Sequence, residues 1–215
     1  MTAQTPFAHL SDDVLVDYAA GTLPQATALL VATHLALCPD CREEVRLLEA
    51  VGGALLAERA DEAPVDHLLA DCLAMLDQPI AVPAPARYCA DGVIPRPLMD
   101  FLPTEGLTWH KRAKGLAEIR LDTGPGPVAK LLKISAGQPM PRHTHSGREF
   151  TLVLDGSFSD DYGVYRRGDV AVATEGEIHQ PIAGTERDCI CLAVVEGSLA
   201  LTGPIGRVLN LFVRF

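Results

Sequence analysis

The first 80 residues contain no lysine. They hold three arginines against 13 aspartates and glutamates, whereas the rest of the chain is balanced, with 15 acidic and 15 basic side chains. The whole net charge of −10 at pH 7 therefore lies in the N-terminal segment. Such a segment repels nucleic acid and attracts basic surfaces. We expect no nucleic acid partner, and either a solvated helical face or a site for a basic protein.

The chain also lacks a long apolar run. Its longest, at residues 26–37, is too short to cross a bilayer and contains His34. No basic segment followed by an apolar core stands near Met1, so we expect no secretory signal, no membrane partner and a cytoplasmic location. Six irregularly spaced cysteines argue against a disulfide scaffold. In such a chain, closely spaced cysteine and histidine indicate metal or redox chemistry.

The N-terminal segment has the start and stop signals of short helices. Ser11 and Gly21 bound the first helix, Pro24 opens the second, and Pro39 ends it because proline disfavours a helical residue before it. A fourth short helix is expected within residues 66–77. The third helix carries one apolar stripe, formed by Val45, Leu48, Val51, Leu55 and Leu56.

A proline-rich stretch separates this segment from a different kind of sequence. Six prolines fall between residues 79 and 103, which indicates a semi-rigid linker. Beyond it, short β-prone segments alternate with turns, as in a sandwich or barrel: AEIRL, AKLLKI, FTLVLDG, DVAVA and CICLAVV. We predict an all-α domain over residues 1–80, a linker over 81–96 and an all-β domain over 97–215.

The stretch HLALCPDC places His34, Cys38 and Cys41 in an H-x3-C-x2-C spacing. His34 and Cys38 lie one helical turn apart, and Cys41 follows across a tight turn. One imidazole and two thiolates suit zinc, which prefers four nitrogen and sulfur ligands in a tetrahedron. The alternative is a group of ordinary core residues. Candidates for the fourth ligand are His9, which has the best position, and otherwise His67 and Cys72.

A second group, His143, His145 and Glu149, shares odd numbering, so a strand projects all three to one face. His179 has the parity and setting of a fourth ligand from another strand, whereas Arg148 has the opposite parity and should point outside. Three imidazoles and a carboxylate suit zinc, which we expect here. Manganese, iron and nickel are alternatives because ligand softness does not separate them.

Both groups resemble the sites of known families. H-x3-C-x2-C between short helices, after an upstream histidine, resembles the zinc-binding anti-sigma domain; this implies zinc ligands at His9, His34, Cys38 and Cys41. The spacing Gly137-x5-His143-x-His145-x3-Glu149-x6-Gly156 meets the first motif of the cupin barrel. The second motif is met in part by Gly168-x7-Gly176-x2-His179, with Thr174 and Ala183 at its usual Pro and Asn positions.

One family joins both halves in this order, and the chain resembles it: the ChrR-type anti-sigma factors. The resemblance implies a small helical zinc domain, then a jelly-roll cupin barrel, in a regulator that is not an enzyme. It implies that the first domain inhibits an extracytoplasmic-function sigma factor. The cupin would allow release under oxidative stress from singlet oxygen or organic peroxide. Sigma factors are basic, so the acidic segment would assist encounter.

Two other functions fit the residues. A cupin with three histidines and a glutamate can keep metal positions open, as in dioxygenases, which makes a metalloenzyme the main alternative. A zinc-stabilised interaction module with an inert barrel is a third hypothesis. Cys189 and Cys191 lie at i and i+2 of a predicted strand, hence on one face. They are either redox-sensitive thiols or small buried core residues.

Overall fold

The computed structural model describes residues 8–59, 67–76, 78, 92–102 and 107–202. The predicted linker at 81–96 lies largely outside these residues. Helices precede strands, which confirms the predicted fold class. The helices are α1 (Asp12–Ala19), α2 (Gln25–Leu35), α3 (Pro39–Ala57), α4 (Leu68–Leu76) and α5 (Arg96–Met99).

The helix boundaries follow local chemistry. Ser11 is the N-cap residue of α1. The helix ends shortly before Gly21, which has a φ of 70°, a backbone conformation that glycine adopts without strain. Cys38 is the N-cap residue of α3, and its Sγ accepts a hydrogen bond from the Cys41 amide at 3.4 Å. Pro39 occupies the first helical position, where its missing N–H costs nothing.

Eleven strands follow in the described residues, and the five predicted β segments are all among them. They form a six-stranded antiparallel sheet in the order β1-β2-β3-β10-β5-β8, with a two-stranded and a three-stranded sheet opposite. The strands are β1 (His110–Ala113), β2 (Leu116–Arg120), β3 (Val128–Ile134), β4 (His143–His145), β5 (Glu149–Asp155), β6 (Ser157–Ser159), β7 (Val164–Arg166), β8 (Val170–Ala173), β9 (Ile182–Ala183), β10 (Cys189–Val195) and β11 (Leu199–Leu201).

The six-stranded sheet is buried on both faces. Along β5, Phe150, Leu152 and Leu154 share a core with the helices. Glu149 and Thr151 alternate with them and line the interior of the barrel. Because strand side chains alternate between faces, the same sheet forms the barrel wall and the platform for the helices.

Helix α2 lies between the sheet and the other helices. Its buried positions lie all around the helix, including Leu30, Val31 and His34, which are all 0% exposed. A helix that is apolar on all sides requires neighbours on all sides. Leu98 of α5 joins the same core. The helices and the barrel are therefore joined by one continuous apolar core.

Only the start of the predicted apolar stripe on α3 packs into this core. Val45 is buried and Leu48 is partly buried, whereas Val51, Leu55 and Leu56 are exposed. Helix α3 has 19 residues, whereas α1 has 8 and α2 has 11, so its C-terminal half extends beyond the layer on which it packs. Within the described residues, no helix combines the length and apolarity needed to cross a bilayer.

Gly156, between β5 and β6, provides a test of the barrel geometry. Its φ is 69°, and a Cβ atom there would lie 2.4 Å from the backbone oxygen of Asp188. Gly156→Ala is expected to lower the free energy of unfolding by about 3 kcal/mol, through left-handed strain and the clash. Gly176→Ala is the matched control, because Gly176 has a φ of 80° in open space; it should lose about 1 kcal/mol. Urea unfolding followed by Trp109 fluorescence measures the free energy of unfolding of both variants. An equal loss of stability in the two would contradict the clash.

Candidate metal centres

The structure brings His9, His34, Cys38 and Cys41 together. His9 precedes α1, His34 lies near the end of α2, and the cysteines begin α3. One ligand atom from each lies within 4.8 Å of all the others. Nδ1 of His9 is 3.3 Å from Sγ of Cys38 and 3.4 Å from Sγ of Cys41. These separations match the edge of about 3.5 Å that a tetrahedron around zinc has with ligand bonds of about 2.0–2.3 Å.

The ring of His34 is oriented for metal binding. Its Nδ1 donates a hydrogen bond to the Gly168 backbone oxygen at 2.9 Å, because a carbonyl can only accept. The proton on Nδ1 leaves a lone pair on Nε2, which is buried without a hydrogen-bond partner. Burial also lowers the pKa of His34, so the imidazole stays neutral. A metal ion is the partner that such an orphaned nitrogen fits.

The two thiols of this cluster need a cation. Burial, together with the neighbouring Cys38, raises the pKa of Cys41 to about 12. Two adjacent buried thiolates repel each other unless a positive charge lies between them, and zinc supplies that charge. His67 and Cys72, the alternatives for the fourth position, are both exposed and lie outside the cluster.

The second cluster gathers its residues from separate strands and a loop. His143 and His145 lie on β4, Glu149 begins β5, and His179 is paired through its backbone with His143. All four are buried. Nε2 of His179 is 3.0 Å from Nε2 of His143 and 3.1 Å from Nε2 of His145. The four predicted residues therefore converge on one point inside the barrel.

The spacing of this second cluster does not select one metal. Five separations between its nitrogen and oxygen atoms run from 2.8 to 3.6 Å, a range that includes the tetrahedral edge of about 3.4 Å expected for zinc–nitrogen bonds of about 2.1 Å. Manganese, iron and nickel therefore stay alternatives to zinc.

The charges in the second cluster favour a cation. Burial alone raises the pKa of Glu149, but the close contacts with His143, His145 and His179 outweigh burial and hold the pKa well below its usual value. The carboxylate is therefore ionised, with one oxygen 2.8 Å from Nε2 of His145. His143 Nδ1 donates to the Pro141 carbonyl at 2.7 Å, which directs its Nε2 into the cluster.

A cavity of about 550 Å³ opens beside this cluster and has mostly apolar walls. Cys191 lines it, and Cys189 is buried on the same face of β10, as the spacing predicted. A hydrogen bond with Cys189, together with burial, raises the pKa of Cys191 well above its usual value. Since a protonated buried thiol reacts slowly, this environment favours the core role over a reactive thiolate.

Arg148 lies outside the barrel, as its parity predicted. Its Nε donates to Glu196 at 2.8 Å, and Nη1 is 3.7 Å from the carboxylate of Asp13 on α1. The buried hydroxyl of Thr27, on α2, is 3.4 Å from Glu196. Sequence reasoning did not anticipate these contacts between barrel and helices. The segment FTLVLD could have indicated them. Its apolar residues occupy both odd and even positions, which is typical of a strand that is buried on two faces.

Comparison with known proteins matches both parts of the chain. The model of the ChrR cupin-like domain family matches residues 99–200, and a zinc-finger family model matches residues 12–42. The anti-sigma-E factor ChrR of Cereibacter sphaeroides is 41% identical over 208 residues, which cover 96% of this chain and 97% of that protein.

A solved structure also matches most of the chain. It is the crystal structure of Rhodobacter sphaeroides SigE in complex with the anti-sigma ChrR. The match has a TM-score of 0.76 and 40% identity, and it covers 87% of this chain and 98% of that chain.

Proposed function

Because the chain belongs to the ChrR family of anti-sigma factors, we propose that it binds and inhibits an extracytoplasmic-function sigma factor through its N-terminal helical zinc domain. The observation that carries the proposal is the 41% identity to ChrR, which extends over 97% of that protein. A 40% identical relative was crystallised with SigE. Membership of this family makes the chain a regulator and not an enzyme, so the dioxygenase alternative is set aside.

The surface proposed to meet the sigma factor is formed by the exposed apolar side chains of α3 and of α4, which are together called the apolar patch. On α3, exposed apolar residues recur every fourth position, and those of α4 are exposed as well. Helix α3 also carries four acidic residues against two arginines, which suits a basic partner. Exposed apolar side chains that recur on one helix favour an interaction site. The patch consists of Leu47, Val51, Leu55, Leu56, Leu69, Leu73 and Leu76.

The patch is tested by the double substitution Val51→Ser and Leu55→Ser. Each side chain should contribute about 1.5–3 kcal/mol when fully buried, so we expect sigma-factor affinity to fall at least about 100-fold. Both positions are exposed in the free chain, so its stability should change little. Val164→Ser on β7 is the matched control, because Val164 is 56% exposed and Val51 is 59% exposed. Calorimetric titration with the sigma factor measures all variants; equal affinities would eliminate the patch.

We propose that zinc occupies the first cluster, held by His9, His34, Cys38 and Cys41. Four nitrogen and sulfur ligands leave no open position, so this zinc has a structural role. It would join the segment before α1, the end of α2 and the start of α3. Support comes from the tetrahedral spacing and from the orphaned Nε2 of His34.

The barrel is proposed to be the sensing part. His143, His145, Glu149 and His179 would hold zinc, or manganese, iron or nickel, next to the cavity. Loss or change of that metal under singlet oxygen or organic peroxide would lead to release of the sigma factor.

We further propose a cytoplasmic location and the division of the chain into a helical domain at residues 1–80, a linker at 81–96 and a barrel domain at 97–215.

Co-expression with a sigma factor encoded beside this chain, followed by gel filtration and metal analysis, tests these assignments together. A stable complex that releases the sigma factor under peroxide supports them. Failure of the purified chain to bind any sigma factor of its host would refute the main proposal.

A further inference from the structure

One turn of the barrel contacts the first metal cluster at two points. The turn between β7 and β8 contains Gly168 and Asp169. Gly168 accepts the hydrogen bond from Nδ1 of His34, and Oδ1 of Asp169 accepts one from the backbone amide of Ala8 at 3.2 Å. The amide of Val170 donates in turn to the Ala8 carbonyl at 3.0 Å. The barrel therefore holds His34 directly, and it holds His9 through the residue before it.

These contacts are shielded from water. His34 is 0% exposed and Asp169 is 3% exposed, so water cannot readily replace either bond. The Asp169 carboxylate carries charge, which strengthens its bond with the Ala8 amide. Both contacts join residues more than 130 positions apart in the sequence.

The turn itself is rigid. Oδ2 of Asp169 accepts from the Arg166 amide at 2.7 Å, and the Asp169 amide donates back to the Arg166 carbonyl at 2.8 Å. The Gly168 amide donates a hydrogen bond to the Val153 carbonyl at 2.9 Å. Gly168 has a φ of 94°, which glycine tolerates and other residues avoid. A turn fixed in this way can set the position of the groups that it binds.

We propose that Gly168 and Asp169 are positioning residues for the N-terminal metal centre, so that the barrel sets how firmly the helical domain holds its zinc. Gly168 fixes the rotation and the tautomer of the His34 ring. Asp169 fixes the backbone from which His9 extends. The proposal rests on the assignment of zinc to the first cluster. A helical domain without the barrel would keep all four ligands but lose the support for two of them.

Cobalt loading of the full chain provides the test. Of the two metal clusters in the described residues, only the first includes cysteines, so the thiolate-to-cobalt charge-transfer absorption reports on that cluster. The rate at which this band disappears in excess EDTA measures metal release. We expect release to be at least about tenfold faster in Asp169→Ala, because the loss of its charged hydrogen bond to Ala8 alone predicts about that factor.

A second variant leaves the barrel residues unchanged. Ala8→Pro removes the amide that Asp169 binds but keeps the Ala8 carbonyl, and it should also accelerate release about tenfold. If Asp169 acts through Ala8, the double variant releases cobalt no faster than the faster single variant. Asp188→Ala is the matched control. Asp188 also binds a backbone amide of a barrel turn, that of Ala136 at 3.2 Å, and its removal should leave release unchanged.

The outcomes separate the two proposals. Unchanged release in Asp169→Ala and Ala8→Pro, with the charge-transfer band intact, would overturn the positioning role alone. The positioning role would also be overturned if the double variant accelerated release by the product of the two single effects, because Asp169 would then act independently of Ala8. Absence of the band from the unmodified chain would overturn the assignment of a thiolate-bound metal and, with it, this inference.

Discussion

Cys38→Ser is expected to empty the N-terminal metal centre and to lower sigma-factor affinity more than about 100-fold. Cys38 is fully buried and is the N-cap residue of α3, and we propose that it is also a zinc ligand. Serine keeps a cap oxygen but cannot supply a thiolate, so the variant separates loss of metal from loss of the cap. Zinc binding of about 10–16 kcal/mol drives the folding of small zinc domains, so its loss should disorder α3 and its apolar patch.

Zinc content by mass spectrometry and calorimetric titration with the sigma factor check this expectation. Cys72→Ser is the control, because Cys72 is exposed on α4 and lies outside the cluster. It should keep the zinc stoichiometry of the unmodified chain. A Cys38→Ser protein without first-site zinc that still bound the sigma factor at full affinity would show that the metal has no part in the inhibitory surface.

Glu149→Gln is expected to abolish stress-induced release while sigma-factor affinity changes by less than about threefold. Glutamine has nearly the same volume but no charge, so metal affinity should fall more than about 100-fold, since loss of outer partners alone costs about 10–100-fold. The apolar patch lies on the helices, and the outer face of β5 keeps Phe150 and Leu152. Inhibition should therefore persist in a protein that no longer responds.

Release is measured as the loss of the complex on gel filtration after exposure to singlet oxygen or an organic peroxide. Glu175→Gln, an exposed glutamate in the loop before His179, is the control and should respond normally. Normal release from Glu149→Gln would remove the sensing role of the second cluster. Loss of inhibition would show that the barrel metal supports the helical domain directly.

A physical path between the two metal centres exists in one strand. Strand β8 begins at Val170, directly after the turn that contacts His34 and Ala8. Three residues along, Ala173 of the same strand is paired with Glu149 of β5. A strand is stiff over this length, roughly 10 Å, so displacement at Glu149 can reach the turn. Strand β8 thus connects a turn that contacts the first cluster with the strand that carries Glu149 of the second cluster, although about a hundred residues separate the two clusters in the sequence.

Features governed by short-range geometry were predictable from the sequence. The breaks at Gly21 and Pro39, the five longer strands and the common face of Cys189 and Cys191 all agree with the structure. Odd and even numbering correctly placed the Glu149 side chain inside the barrel and the Arg148 side chain outside it. The strands β6, β7 and β9, of two or three residues each, were not predicted because they are too short to show a period.

The sequence by itself determined two groups of candidate ligands and the order of a helical and a β part, because backbone geometry sets the spacing of near neighbours. Only the tertiary structure decided what lies far apart in the chain. It brought His9, rather than His67 or Cys72, to the first cluster, and it left the end of the α3 stripe exposed. It also placed Gly168 and Asp169 against His34 and Ala8. Such contacts depend on how whole layers pack, which local residue patterns do not encode.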